Sequence, residues 1–174
     1  MLLSQLLSFS SGPEALERLL ADVRVRAIGV CNFSAQHLDD LMERAVVAAS
    51  AADVAVVVVG TNADWETEGE DRTTLALPGD QDELVARVLD VAPDAVIVVN
   101  SGSVRTMPWA ARARALLQVW FGGPEMAEAL VDVLVGDVEA GGRLPTTVPV
   151  RLEDNPTWGN FPADGGIVRY GEGV

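Results

Sequence analysis

Six residues, Ala55-Val56-Val57-Val58-Val59-Gly60, constrain this chain more than any other stretch. Four consecutive valines show no alternation of polar and apolar positions. A strand built from them has both faces out of water, as in the middle of a parallel sheet covered by helices on both sides. Parallel neighbours need crossover connections, and the flanking sequence supplies one. Ser34 is placed to cap a helix in which Leu38, Leu41, Met42, Ala45, Val46 and Ala49 recur at helical spacing. Residues 23–30 before it read as a strand, so residues 23–60 have the form of a βαβ unit.

The alternation continues downstream. Leu84, Val85, Val88 and Leu89 predict an amphipathic helix over 80–91, ended by Pro93, and Ala95 to Val99 a further β-branched strand. Ala115 to Trp120 reads as a strand. Met126 to Val135 reads as a helix with Leu130, Val133 and Leu134 inward and Gly136-Asp137 as its stop. A short helix is expected from Ser11-Gly12-Pro13-Glu14, with Leu16, Leu19 and Leu20 on one face, and Thr146 to Val150 is expected as a last short strand. Residues 151–174, rich in Gly, Pro, Asn and Asp, lack a period and read as irregular wrapping.

Composition removes several functions. With 174 residues and 49% hydrophobic content the chain is long enough for one domain with a core. A net charge of −14 opposes the counterion-release attraction behind nucleic-acid binding and repels anionic membrane surfaces. The lone Cys31 excludes an internal disulfide and reads as a small buried hydrophobe. The lone His37, beside Asp39 and Asp40, reads as a surface side chain, so neither a zinc site nor a Ser-His-Asp triad is expected. No cofactor or metal is expected. Met1 to Phe9 is interrupted by Ser4, Gln5 and Ser8 and lacks the basic start of a secretory leader, and no apolar run reaches the roughly 20 residues of a membrane-spanning helix. A cytoplasmic location is the expectation. A nucleotide-binding doubly wound domain is disfavoured because no glycine spacing of a phosphate-binding loop occurs.

Directly after the valine strand comes Trp65-Glu66-Thr67-Glu68-Gly69-Glu70-Asp71-Arg72, then Leu77-Pro78-Gly79-Asp80-Gln81. Loops leaving the carboxyl ends of strands are where open α/β sheets hold ligands. Four carboxylates within six residues (Glu66, Glu68, Glu70, Asp71) repel a phosphate, but suit a reaction that needs a proton donor.

These stretches occur in a set order with others: Asn100-Ser101-Gly102-Ser103 and Thr106-Met107-Pro108-Trp109, Gln118-Val119-Trp120-Phe121-Gly122-Gly123, Gly136-Asp137, Gly142-Arg143-Leu144-Pro145-Thr146-Thr147, and Asp154-Asn155-Pro156. From about Ala45 onward the chain resembles the C-terminal α/β sandwich domain of family-three glycoside hydrolases, the β-glucosidase and β-xylosidase group. The resemblance implies a three-layer α/β sandwich, with a six-stranded, mostly parallel sheet flanked by helices and docked on a barrel domain that carries the nucleophilic aspartate. It also implies a general acid/base glutamate in the 65–72 loop, with Glu68 the first choice and Glu66 the second. A retaining glycosidase places two carboxyl groups about 5 Å apart, one to protonate the leaving oxygen and one to attack. A glutamate beside Trp65 on a partly apolar loop is expected to have a raised pKa, as an acid catalyst needs near neutrality. Trp65 and Arg72 are the candidate substrate-binding residues: Trp65 to stack on a pyranose or to pack, Arg72 to contact a sugar or, with Asp71, to shape the loop. A solvated acidic loop is the plain alternative for Glu66 and Glu68. Trp109 and Trp120 are expected in the core. Pro124-Glu125-Met126-Ala127 departs from the glycine-rich turn of the family.

Residues 23–34, Val23-Arg24-Val25-Arg26-Ala27-Ile28-Gly29-Val30-Cys31-Asn32-Phe33-Ser34, are similar to one β/α unit of the aldo-keto reductases, with Asn32 at a position that in that family helps hold the nicotinamide. One unit of eight is too little to bind a dinucleotide. The expected organisation is therefore an aldo-keto-reductase-like segment over 1–44 joined to a hydrolase sandwich domain over 45–174, a fusion or fragment. No barrel lies within the chain, so the nucleophile and most sugar-binding groups would come from a barrel-domain partner, and a β-glycoside substrate would bind only with it. Without one, the alternative is a non-catalytic remnant that folds, self-associates or binds a partner.

Overall fold

Strands and helices alternate where continuous apolar runs give way to a hydrophobic period of 3.6, and each strand is laid beside the one before it. The structure, a computed structural model, describes residues 27–30, 38–70, 72–160 and 165–168. Its elements are β1 (Ala27–Val30), α1 (Leu38–Ala51), β2 (Ala55–Gly60), α2 (Gln81–Val91), β3 (Val96–Asn100), β4 (Ala115–Gln118) and α3 (Met126–Val135). Four strands form one sheet in the order β1-β2-β3-β4, every pair parallel. The register sets Ala27 against Ala55, Val56 against Val96 and Val96 against Ala115. The strand of the segment resembling an aldo-keto reductase is thus hydrogen-bonded into the same sheet as the rest.

The valine run divides between two layers. Val57 and Val59, with Ile97 and Val99, face a core completed by Met42 and Ala49 of α1, Leu84, Val85, Val88 and Leu89 of α2, and Trp109. Val56, Val58 and Val98 face the opposite way, against Val131, Leu130 and Leu134 of α3. This is the pleat acting on a strand with no polar face. Val56 to Val59 are each at most 6% exposed, and burying such a side chain contributes about 1.5–3 kcal/mol. α1, α2 and Trp109 of the β3–β4 connection pack on one face of the sheet, and α3 covers the other. The α/β sandwich that the resemblance implies is present, with four strands among the described residues where six were implied.

Boundaries are close to those predicted, with two differences. The strand expected through Trp120 ends at Gln118, and Trp120 is half-buried with φ 53° rather than in the core, whereas Trp109 is 2% exposed. The strand expected over Thr146–Val150 does not form. Pro145 precedes it and Pro149 falls within it, each without an N–H to donate to a ladder, and Val150 is left 73% exposed. Gly136, at φ 84°, stops α3 as predicted, and Asp137 N–H donates to the Asp132 carbonyl in closing it. α2 ends before Pro93. The helix expected from Ser11, the cap at Ser34, Cys31, Asn32, His37 and Asp71 lie outside the described residues.

Candidate functional site

All of the polar machinery gathers where β2, β3 and β4 end. Gly60 closes β2 against Asn100, so tightly that a Cβ on Gly60 would lie 1.9 Å from the Asn100 carbonyl oxygen. Only glycine fits. Gln81, the first residue of α2, locks this end. Its Oε1 accepts from Gly60 N–H at 2.7 Å, and its Nε2 donates to the carbonyls of Gly60 at 2.9 Å and Pro78 at 3.0 Å. Leu77-Pro78-Gly79-Asp80-Gln81 is therefore a clasp that returns the chain to the strand it left.

Between strand and clasp runs the acidic loop. The Asn62 carbonyl accepts from the N–H groups of both Trp65 and Glu66 at 3.0 Å, and this turn sends Glu66 inward. Glu66 Oε1 accepts from Thr61 Oγ1 at 2.8 Å and from Arg105 Nη2 at 2.6 Å, and Oε2 accepts from Arg72 Nη1 at 2.9 Å. Ser103 joins the group, accepting from Arg72 Nη1 at 2.5 Å and Arg105 Nη2 at 3.2 Å. The Glu66 side chain is 12% exposed and that of Arg105 is 0% exposed. Burial pushes the Glu66 carboxyl up, but the hydrogen bonds from Thr61 and Arg105 and the charges of Arg105 and Arg72 outweigh it and hold it below the usual glutamate range. The raised pKa expected of a glutamate here is not found at Glu66, because two cations reach it.

The other candidates stand elsewhere on the same loop. Glu68 is exposed and makes no hydrogen bond or ion pair among the described residues. Trp65 is 37% exposed. Arg72, with 36% of its side chain exposed, spends Nη1 on Glu66 and Ser103, so it shapes the loop while keeping a solvent-facing edge. Glu66 and Arg72 are thus brought together, while Glu68 and Trp65 are presented outward.

Sequence reasoning missed Arg105, Thr61 and Ser103. Arg105 carried the available signal, as a lone arginine between Val104 and Thr106 in the loop after a buried strand, facing a glutamate-rich loop. Two of its donors, Nε and Nη1, are buried without a partner among the described residues, as is Asn100 Oδ1. Such orphans are disfavoured and tend to mark functional surroundings.

From β4 comes the third component. Val119 N–H still bonds the Val99 carbonyl, at 3.0 Å, and then Trp120 turns left-handed, a conformation that costs a non-glycine residue about 1–3 kcal/mol and collects at functional sites. An open groove of about 850 Å3 lies beyond β4, lined by apolar side chains such as Leu116, Leu130, Val133 and Leu144, with Glu125 its only acidic member among the described residues. It lacks the paired carboxylates that glycoside chemistry uses. Among the described residues no three His, Cys, Asp or Glu side chains converge to hold a metal, and no helix is long and apolar enough to cross a membrane.

Comparison with known proteins gives this geometry its context. The family model described as "Glycosyl hydrolase family 3 C-terminal domain" matches residues 7–174, so it also spans residues 23–34, and the comparisons do not show the expected likeness to an aldo-keto reductase there. A probable β-glucosidase I of Emericella nidulans is 50% identical over 139 residues, 80% of this chain and 17% of its own length. The structure of a β-glucosidase from Kluyveromyces marxianus in complex with glucose is 42% identical with a TM-score of 0.73, over 80% of this chain and 17% of that one. The family 3 β-glucosidase of Bifidobacterium adolescentis, 33% identical with a TM-score of 0.77, covers 98% of this chain and 26% of its own. The chain spans about a sixth of the length of the curated relatives it matches. With a family match over nearly all its residues and the sandwich architecture in place, the chain belongs to the C-terminal domain family of the family 3 glycosyl hydrolases.

Proposed function

We propose that this chain supplies the general acid/base to hydrolysis of β-glucosides, with Glu68 as the proton donor and Glu66 as the residue that anchors its loop. The observation that carries the assignment is the division of labour within one loop. Glu66 is ion-paired with two arginines and also accepts from Thr61, so both of its oxygens are engaged and neither is free to meet a leaving group. Glu68, two residues on, is exposed at the carboxyl edge of the sheet with both oxygens free of partners among the described residues. A proton donor must reach the leaving oxygen, and an outward carboxyl on an anchored loop is suited to that.

The second carboxylate, about 5 Å away in a retaining mechanism, would come from a barrel domain of the kind the family resemblance implies. Trp65 and the free edge of Arg72 would face the sugar from this side. In the first half-reaction Glu68 gives its proton to the glycosidic oxygen as the bond to the anomeric carbon breaks. In the second it takes a proton from the attacking water.

The test mixes the chain with a separately expressed family 3 barrel domain and an aryl β-glucoside. Activity is expected only in the mixture, and Glu68→Gln is expected to lower it by roughly 100- to 10,000-fold for poor leaving groups, the span usual for a lost acid/base. The loss should shrink for activated leaving groups, which need little protonation. Full activity in Glu68→Gln would reassign the proton donor. An inactive mixture would favour the non-catalytic reading.

A further inference from the structure

We propose that Phe121 is the aromatic wall of the glycoside site, binding the apolar face of a pyranoside or aryl aglycone beside the Glu66–Arg72 cluster. Phe121 follows the left-handed Trp120 at the end of β4 and is 51% exposed. A methyl group built on Gly102 would stand 3.0 Å from Cε2 and 3.1 Å from Cδ2 of Phe121, and 3.4 Å from the carboxyl carbon of Glu66. The ring therefore lies over Gly102, with the Glu66 carboxylate on the same glycine. Arg72 and Ser103 hydrogen-bond one another within that cluster.

An exposed ring next to hydrogen-bonding and charged groups matches the two-sided chemistry of a pyranose. Such a sugar has axial C–H groups on one face, suited to a π surface, and equatorial hydroxyls around its rim, suited to guanidinium and hydroxyl groups. The two loops and the strand exit come from β2, β3 and β4, so the wall is set by the sheet rather than by one mobile segment. Position 102 is glycine because any side chain would displace the ring. The left-handed turn at Trp120 aims it. This assignment rests on the glycoside reading above but concerns binding, not proton transfer, so the two fail separately.

The experiment titrates the isotopically labelled chain, mixed with a separately expressed family 3 barrel domain, with phenyl β-D-glucopyranoside and methyl β-D-glucopyranoside, following the amide resonances of the labelled chain. Saturable shifts are expected at Gly102, Ser103 and Phe121, larger for the phenyl glycoside. Phe121→Ala should weaken binding roughly two- to tenfold, the contribution expected of one aromatic contact, while Phe121→Tyr should keep it within about twofold. Gly102→Ala should weaken it while leaving the spectrum of the core unchanged. Equal affinity in Phe121→Ala, or no saturable shift at these residues in the unaltered chain, would overturn the assignment. The acid/base assignment is read in turnover and this contact in amide shifts of a bound glycoside, which keeps the two questions separate.

Discussion

Replacing Glu66 by glutamine or Arg105 by methionine removes the same 2.6 Å ion pair from opposite ends, and the two losses should be unequal. In Glu66→Gln the Arg105 guanidinium, 0% exposed, keeps an oxygen to bond but loses its anion. Stripping one partner from a buried pair costs about 3–5 kcal/mol, and the surviving amide puts this case near the lower end. In Arg105→Met the carboxylate keeps Arg72 at 2.9 Å and Thr61 at 2.8 Å and is itself 12% exposed. Two charge-assisted hydrogen bonds, to Glu66 and to Ser103, worth about 1.5–3 kcal/mol each are lost, but two unpartnered buried N–H groups, costing about 1–3 kcal/mol each, disappear with them and nearly cancel the loss. The net effect is about 0–1 kcal/mol, so the variants should differ by about 2 kcal/mol or more. Urea unfolding reads this as a gap of about 1 M between midpoints. Adding Arg105→Met to Glu66→Gln should recover much of the loss, because the stranded cation goes too. The pH dependence follows the same carboxyl. A glutamate whose folded pKa lies below its ordinary 4.5 contributes stability that is full above that value and is lost as pH falls through the folded pKa. The difference between the unaltered chain and Glu66→Gln should therefore shrink below about pH 4.5. An Arg105→Met loss equal to or greater than that of Glu66→Gln would refute the reasoning.

Two further changes test the strand ends. Gly60→Ala should be among the most damaging single substitutions, by about 3 kcal/mol or more in thermal or urea unfolding, since its methyl meets the Asn100 carbonyl at 1.9 Å and the strands must part; a loss under about 1 kcal/mol would show that they separate easily. Gln81→Leu keeps the volume but leaves both Gly60 polar groups and the Pro78 carbonyl without the side chain that serves them, an expected loss of about 2–4 kcal/mol with faster hydrogen exchange at Gly60 N–H.

The layers were legible because their signal is local. Val56 to Val59 announce a strand covered twice, and Leu84, Val85, Val88 and Leu89 announce one helix face; all eight are buried. The strand at Thr146–Val150 was misjudged because a β-rich composition outweighed Pro145 and Pro149, whose missing donors decide the matter. At the site the 65–72 loop and its place at the sheet edge were legible. The difference between Glu66 and Glu68 was not. It depends on Arg105, 39 positions from Glu66 in the chain, meeting it through the pairing of β2 and β3. No spacing rule within a loop reveals a partner delivered by a neighbouring strand. Phe121 was quoted only as part of a motif, since its place over Gly102 again requires two strand ends to meet.

The sheet's sequential strand order has a kinetic meaning. Paired residues are separated by 28 positions in β1–β2 (Ala27 with Ala55), 40 in β2–β3 (Val56 with Val96) and 19 in β3–β4 (Val96 with Ala115). Loop-closure entropy rises with the logarithm of length, so the β3–β4 ring is the easiest to close. It encloses Ser103, Arg105 and Trp109, and the chain segment that later grips Glu66 would be ordered first, waiting for β2 to deliver its loop. Pulse-labelled hydrogen exchange should then protect Val98 and Val99 no later than Val57 and Val58; the reverse order would assign nucleation to the valine strand instead.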